Sequence, residues 1–125
     1  MSRFNKISYN QSANQLTVGA GCVFDEIYKV VRAGKYNIVG GGGSVGVGGW
    51  IMGGGYSLKT NQYGLGIDNL VQVEIVLPNG RVETASATNN TNLFWAIKVC
   101  PGLNLRVHIE QLMRYELRAA GIILV

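Results

Sequence analysis

Cysteine, proline, histidine and charge are all scarce in this chain of 125 residues, and each shortage removes a class of protein. There are two cysteines, Cys22 and Cys100, far apart and without C-x-x-C or Cys/His ligand spacing, so neither a zinc site nor a disulfide framework is expected. They read as small buried hydrophobes. Charged residues make up 14% of the chain against a usual share of about 25%, while 47% is hydrophobic and two residues are proline. A disordered, collagen-like or coiled-coil polypeptide is thereby excluded. No run of 18 apolar residues occurs, so no membrane partner is expected, and no charged segment followed by an apolar stretch marks a secretion signal at Met1-Ser2-Arg3-Phe4. The compartment stays open. Two glycosylation sequons, Asn10-Gln11-Ser12 and Asn89-Asn90-Thr91, matter only on a secretory route. Eleven Lys and Arg against seven Asp and Glu give a formal charge of +4, with eight against five in residues 1–98. The cations form no stripe interleaved with aromatics, so no nucleic-acid partner is expected. At this length two complete domains are excluded, and one domain buries roughly two-thirds of its unfolded surface.

Local patterns give an outline. Gln15 to Gly21 alternates as a strand, and Phe24, Ile27, Tyr28 and Val31 then recur at helical spacing, with Asp25 and Glu26 in the first turn and Gly34 as the stop. A short strand is expected at Asn37-Ile38-Val39. Val71, Val73, Ile75 and Leu77 alternate on one face, and Pro78-Asn79-Gly80 leads into a returning strand from Arg81 to Ala85. The Asn-Gly pair predicts a type I′ turn with two positive φ values. Asn92 or Thr91 is the expected N-cap of a short helix through Lys98. After Lys98 the composition shifts, and Ile109, Leu112, Met113 and Leu117 form a helix-like stripe opposite Glu110, Gln111, Arg114 and Arg118. A boundary is therefore expected at Lys98, with residues 99–125 as a divergent, helical tail ending in the apolar Ile122-Ile123-Leu124-Val125.

What the chain has in excess is glycine: 18 residues, ten of them between Gly40 and Gly55. Such density means that backbone passes where a Cβ cannot fit, or turns with positive φ. A flexible linker is the bland alternative, but Val45, Val47, Trp50, Ile51 and Met52 punctuate the glycines with side chains that want burial. Successive bare N–H groups can instead converge on an anion or a flat ring. No Lys follows any of these glycines, so this is not a P-loop and phosphoryl transfer is not expected. Gly41, Gly43 and Gly46 satisfy G-x-G-x-x-G, but Gly48, Gly49 and Gly53 to Gly55 forbid the long helix that an NAD-type site needs.

The blocks Ser44-Val45-Gly46-Val47-Gly48-Gly49, Gly53-Gly54-Gly55, Tyr63-Gly64-Leu65 with Asp68-Asn69, the hairpin ending in Ala87-Thr88, and Asn92-Leu93-Phe94-Trp95-Ala96-Ile97-Lys98 stand in fixed order over residues 15–98. Together they resemble FAD-linked oxidoreductases of the vanillyl-alcohol oxidase (PCMH-type FAD-binding) superfamily, in its berberine bridge enzyme and oligosaccharide oxidase branch. The resemblance implies an α+β fold, with residues 1–98 as the second part of a PCMH-type FAD-binding domain and FAD as cofactor. It implies main-chain contacts to FAD from Gly42 to Gly49, close approach of the turn at Gly53 and Gly54, and closure of the adenine or flavin side by Tyr63 and Gly64. Trp50 and Tyr56 are expected in the core, and Asp68 is expected to orient its loop through backbone hydrogen bonds. The family chemistry is oxidation of an alcohol, sugar or amine-type carbon of a small-molecule substrate, with hydride passing to flavin N5 and O₂ as acceptor.

The departures from the pattern are specific. Gly42 stands where doubly linked members carry a cysteine, which excludes a thioether to the flavin. The flavin-linking histidine of the family belongs to an earlier glycine-rich segment, and the only histidine here, His108, lies in the tail. Val99-Cys100-Pro101-Gly102-Leu103-Asn104 replaces the expected glycine turn and Asn-Phe-Gly run. No catalytic residue or metal ligand is assigned. The resemblance thus predicts a truncated, mis-spliced or frame-shifted part of an oxidase, inactive alone; the alternative is a non-catalytic nucleotide-binding or relic module.

Overall fold

The computed structural model describes residues 3–77, 79–99 and, as backbone only, 112–116. Along the chain run β1 (Ile7–Asn10), β2 (Gln15–Gly19), α1 (Phe24–Ala33), α2 (Val47–Met52), α3 (Thr60–Tyr63), a 3₁₀ turn (Gly66–Asn69), β3 (Leu70–Val76), β4 (Val82–Ser86), α4 (Thr91–Val99) and β5 (Leu112–Glu116). The sheet order is β1-β2-β5-β3-β4, antiparallel at every pairing. Two hairpins, β1–β2 and β3–β4, are thus joined only through β5. Its backbone sets Met113 across from Val18 on one side and Val73 on the other.

This placement corrects the helical reading of the tail. Leu112–Glu116 is a strand, because the chain there fills the gap between two hairpin edges whose N–H and C=O groups would otherwise lack partners. Ile109, Leu117, His108, Cys100 and the apolar terminus lie outside the described residues.

The helix at 24–33 follows from its sequence. Phe24, Ile27 and Val31 are buried on one face, against Leu16 and Val18 of β2, Val73 and Ile75 of β3, and Ile51 of α2, within one core cluster. Each such side chain contributes about 1.5–3 kcal/mol by leaving water. At the N-terminus the Glu26 carboxylate accepts the Val23 N–H at 3.1 Å. Gly34 does stop the helix, but at φ −85°, and the left-handed turn falls on Lys35 at φ 59°. Glycine is needed at 34 because a Cβ there would stand 2.7 Å from the Tyr36 ring.

Four further expectations shift. Residues 37–39 form no strand: the Asn37 side chain accepts the Ile38 N–H at 3.1 Å, a local bond that competes with a ladder. In β3, Val73 and Ile75 are buried as expected, but a register irregularity between Leu70 and Gln72 buries Leu70 and leaves Val71 half-buried. In the β3–β4 turn the Gly80 N–H is donated to Leu77 O at 2.8 Å, so Gly80, at φ 79°, closes the turn instead of standing at its centre as a type I′ turn requires. Helix α4 starts at Thr91, and Phe94 N donates to Asn90 O at 2.9 Å, one residue upstream of the expected cap.

Candidate functional site

The glycine-rich segment is bound to the start of α1. Phe24 N donates to Val45 O at 3.2 Å and Asp25 N to Gly43 O at 2.9 Å, so two of the helix's orphan donors are satisfied by glycine-segment carbonyls. Val47 N returns the contact to Cys22 O at 3.0 Å. The carbonyl side of the segment is therefore turned to the protein. Among the described residues, no acceptor takes the N–H of Gly42, Gly43, Ser44 or Gly46.

Space sorts the glycines into two kinds. Some are required by the fold: a Cβ on Gly48 would stand 3.1 Å from Ala20 O, and one on Gly66 would stand 2.3 Å from the Trp50 ring. Gly54, Gly55 and Gly64 have φ of 96°, 77° and 80°, which disfavours any other residue. Others have no such reason. A Cβ on Gly46 or Gly49 would meet nothing within 4 Å, and one on Gly42 would meet only Val45 at 3.7 Å. Gly49 lies inside α2, where alanine would favour the helix by about 0.5–1 kcal/mol. Bare backbone is held at 46 and 49 although the fold leaves room for side chains.

Downstream, the second glycine group is closed by a ladder to the 3₁₀ turn. Gly66 N donates to Gly55 O at 2.8 Å and Ile67 N to Gly54 O at 3.1 Å. Asp68 accepts the Leu65 N–H at 3.0 Å, as the sequence implied. Asn69 was the residue that local reading undervalued: its buried amide donates to Tyr63 O at 3.1 Å and Leu65 O at 2.8 Å, fixing the Tyr63–Leu65 backbone. Trp50 packs edge-on to Phe24 at 4.9 Å between ring centroids and belongs to the core margin. Tyr56 does not; it is 68% exposed, which corrects its expected core placement. The chain after Gly55 turns outward at Tyr56 and Leu58, so its side chains flank the site instead of filling the interior.

Between α1 and the Tyr56–Lys59 stretch lies a pocket of about 520 Å³, with Gly40, Gly41 and Gly42 in its wall and Tyr28, Tyr36 and Tyr56 around it. Tyr28 hydroxyl donates to Gly41 O at 2.5 Å. Burial, with the Asp25 carboxylate adding to it, pushes the Tyr28 phenol up from its ordinary range. Burial pulls the Lys59 ammonium down from its own. Of the residues read from the sequence, Gly42 lines this pocket, the rest of 43–49 continues from it, and Tyr63 and Gly64 lie instead against Asp68 and Asn69.

A protein-family model described as an FAD binding domain matches residues 1–86. The chain belongs to that family. This FAD binding domain is similar to the FAD-linked oxidoreductase ffsJ of Aspergillus flavipes, 40% identical over 103 residues, which are 81% of this chain and 17% of that protein. In structure it is similar to the BBE-like 1 protein of Physcomitrella patens, with a TM-score of 0.83 and 33% identity over 93% of this chain and 25% of the other. It is also similar to a xylooligosaccharide oxidase from Myceliophthora thermophila, with a TM-score of 0.80 and 28% identity over 92% of this chain and 24% of that one. The chain thus spans between a sixth and a quarter of these relatives. Its fold is the α+β fold of the PCMH-type FAD-binding superfamily, similar to that of the BBE-like 1 protein, and its cofactor is FAD. The residues present fit that group: unengaged amides beside glycines with open space above them can approach a diphosphate or a ring edge. Among the described residues no cluster of His, Cys, Asp and Glu suits a metal, and no helix is long and apolar enough to cross a membrane.

Proposed function

We propose that this FAD binding domain holds its cofactor with the main chain of Gly42, Gly43, Ser44, Val45, Gly46, Val47, Gly48 and Gly49, approached by the turn at Gly53 and Gly54 and closed by Tyr63 and Gly64. The observation that carries this reading is the open space at Gly46 and Gly49. Neither steric need nor φ explains glycine there, whereas a ligand against the backbone does. Residues 1–98 carry this cradle, and β5 stands between β2 and β3 in the sheet.

FAD supplies a ring that takes up hydride from a substrate carbon. The chain's own part is to position it: the amides of Gly42, Gly43, Ser44 and Gly46 orient anionic or carbonyl oxygens, Gly46 and Gly49 give clearance, and the Asn69 and Asp68 bonds keep the Tyr63–Leu65 backbone in place. The whole enzyme is then an oxidase of an alcohol, sugar or related carbon of a small molecule, with O₂ as acceptor. The similarity to FAD-linked oxidoreductases and to a xylooligosaccharide oxidase supports that class. Alone, the 125-residue chain is expected to bind FAD without turnover.

Reconstitution tests the reading. Added FAD at a hundredfold excess over Kd should raise the melting temperature by about 10 °C and quench the flavin fluorescence. A colourless preparation whose melting temperature ignores FAD would leave a relic module. Turnover of sugars or alcohols above a no-protein control would contradict inactivity of the chain alone.

A further inference from the structure

No lysine directly follows a glycine of the cluster, as a P-loop requires, yet the fold brings Lys59 back beside Gly40–Gly42. Lys59 and Arg32 line the pocket whose wall is Gly40–Gly42, and no Asp or Glu lines it. Lys59 is partly buried, and its ammonium makes no ion pair or hydrogen bond with another described residue. A cation drawn out of water without a counter-charge is costly, and an oxyanion beside it offsets that cost through charge-assisted hydrogen bonds. Arg32, one helical turn beyond Tyr28 on α1, adds a second cation to the lining. Burial also lowers the Lys59 pKa.

We propose that this pocket is an oxyanion-recognition site, in which Lys59 with Arg32 binds the phosphate or carboxylate group of a small ligand. The inference rests on the reading of the glycine segment as the FAD cradle. Two sources share this chemistry: the diphosphate of FAD itself, or an anionic small molecule bound beside the flavin.

The test uses the full chain as wild type, Lys59→Met, Lys59→Arg and Arg32→Met, titrated with FAD, with neutral riboflavin and with inorganic pyrophosphate. If the site takes the FAD diphosphate, Lys59→Met weakens FAD about tenfold and leaves riboflavin unchanged, and pyrophosphate competes with FAD. If it takes a separate anion, pyrophosphate binds together with FAD, and Lys59→Met weakens only the pyrophosphate about tenfold. Lys59→Arg retains binding in either case, which separates charge from misfolding, and Arg32→Met shows a smaller loss of the same kind. The proposal is overturned if Lys59→Met, folded by circular dichroism, keeps wild-type affinity for both FAD and pyrophosphate. Failure of the wild type to bind any flavin sinks the cradle reading instead, and the pyrophosphate titration of the flavin-free chain then decides this one.

Discussion

The Tyr28 hydroxyl donates to the Gly41 carbonyl at 2.5 Å, tying the middle of α1 to the entrance of the glycine segment. With the α1 N-terminal amides bonded to Gly43 and Val45 carbonyls, the segment is fixed at three carbonyls, while among the described residues the N–H groups of Gly42, Gly43, Ser44 and Gly46 have no acceptor. Tyr28→Phe removes only the hydroxyl. We expect a loss of about 1 kcal/mol of stability by denaturant melt, and an FAD affinity reduced a few-fold because Gly41 and Gly42 gain freedom. Unchanged FAD binding with reduced stability would show that the tie serves the fold alone.

Gly46→Ala and Gly49→Ala separate cofactor clearance from folding. Neither added methyl meets an atom within 4 Å, so the melting temperature without flavin should hold or, for Gly49→Ala in α2, rise by the equivalent of about 0.5–1 kcal/mol. FAD affinity should nevertheless fall by at least about tenfold, as expected when a ligand loses close approach worth about 1.4 kcal/mol. Gly66→Ala is the contrast: its methyl would press on Trp50 at 2.3 Å, so stability falls first, by about 1–3 kcal/mol. Fluorescence titration beside thermal melts distinguishes the two patterns.

The readings that held rest on patterns contained within a dozen residues. The 3.6-residue period of Phe24, Ile27 and Val31, the burial of Val73 and Ile75 in a strand paired with β4, and the Asp68 bond to Leu65 are all local, and they appear in the structure as expected. What failed depended on distant chain. Leu112–Glu116 matches helical and strand periods alike, and only the two waiting hairpin edges decide for a strand. Nothing near Tyr56 tells that the chain turns outward there, and nothing near Lys59 tells that it lines a pocket with Gly40–Gly42. Glycine density pointed to the cradle, but the division into fold-required and open glycines needed coordinates.

Asn69→Leu tests the support of the Tyr63–Leu65 backbone. The amide is buried and donates to two carbonyls, so an apolar replacement of similar size leaves both without that donor. We expect a loss of about 2–3 kcal/mol in denaturant unfolding. Asn69→Asp should be at least as damaging, because an ionised carboxylate cannot donate to either oxygen and is itself buried. If Tyr63 and Gly64 close the cofactor side, FAD binding weakens in both variants at temperatures where the chain is still folded; stability loss with intact FAD affinity would remove them from the site.

Cys22 gives the pH test. The thiol is fully buried, with Sγ 4.0 Å from Phe4 O and 3.9 Å from Lys6 O, and burial followed by the Glu26 charge pushes its pKa up. The folded state therefore keeps a proton that the unfolded chain releases near its ordinary value of about 8.5. Because the native state binds more protons above that value, the contribution to stability is fully present below about pH 8.5 and declines as pH rises toward the folded pKa. Denaturant melts of wild type and Cys22→Ala from pH 7 to pH 10 should show the wild type losing stability faster with pH. All other titrating groups are shared, so the difference between the two slopes isolates the thiol. Ellman's reagent at pH 8 gives an independent reading: Cys22 should react only after denaturation, as the extra thiol counted in wild type over Cys22→Ala. Rapid labelling of Cys22 in the native chain, or parallel slopes in the two proteins, would show that this thiol is not held in the interior.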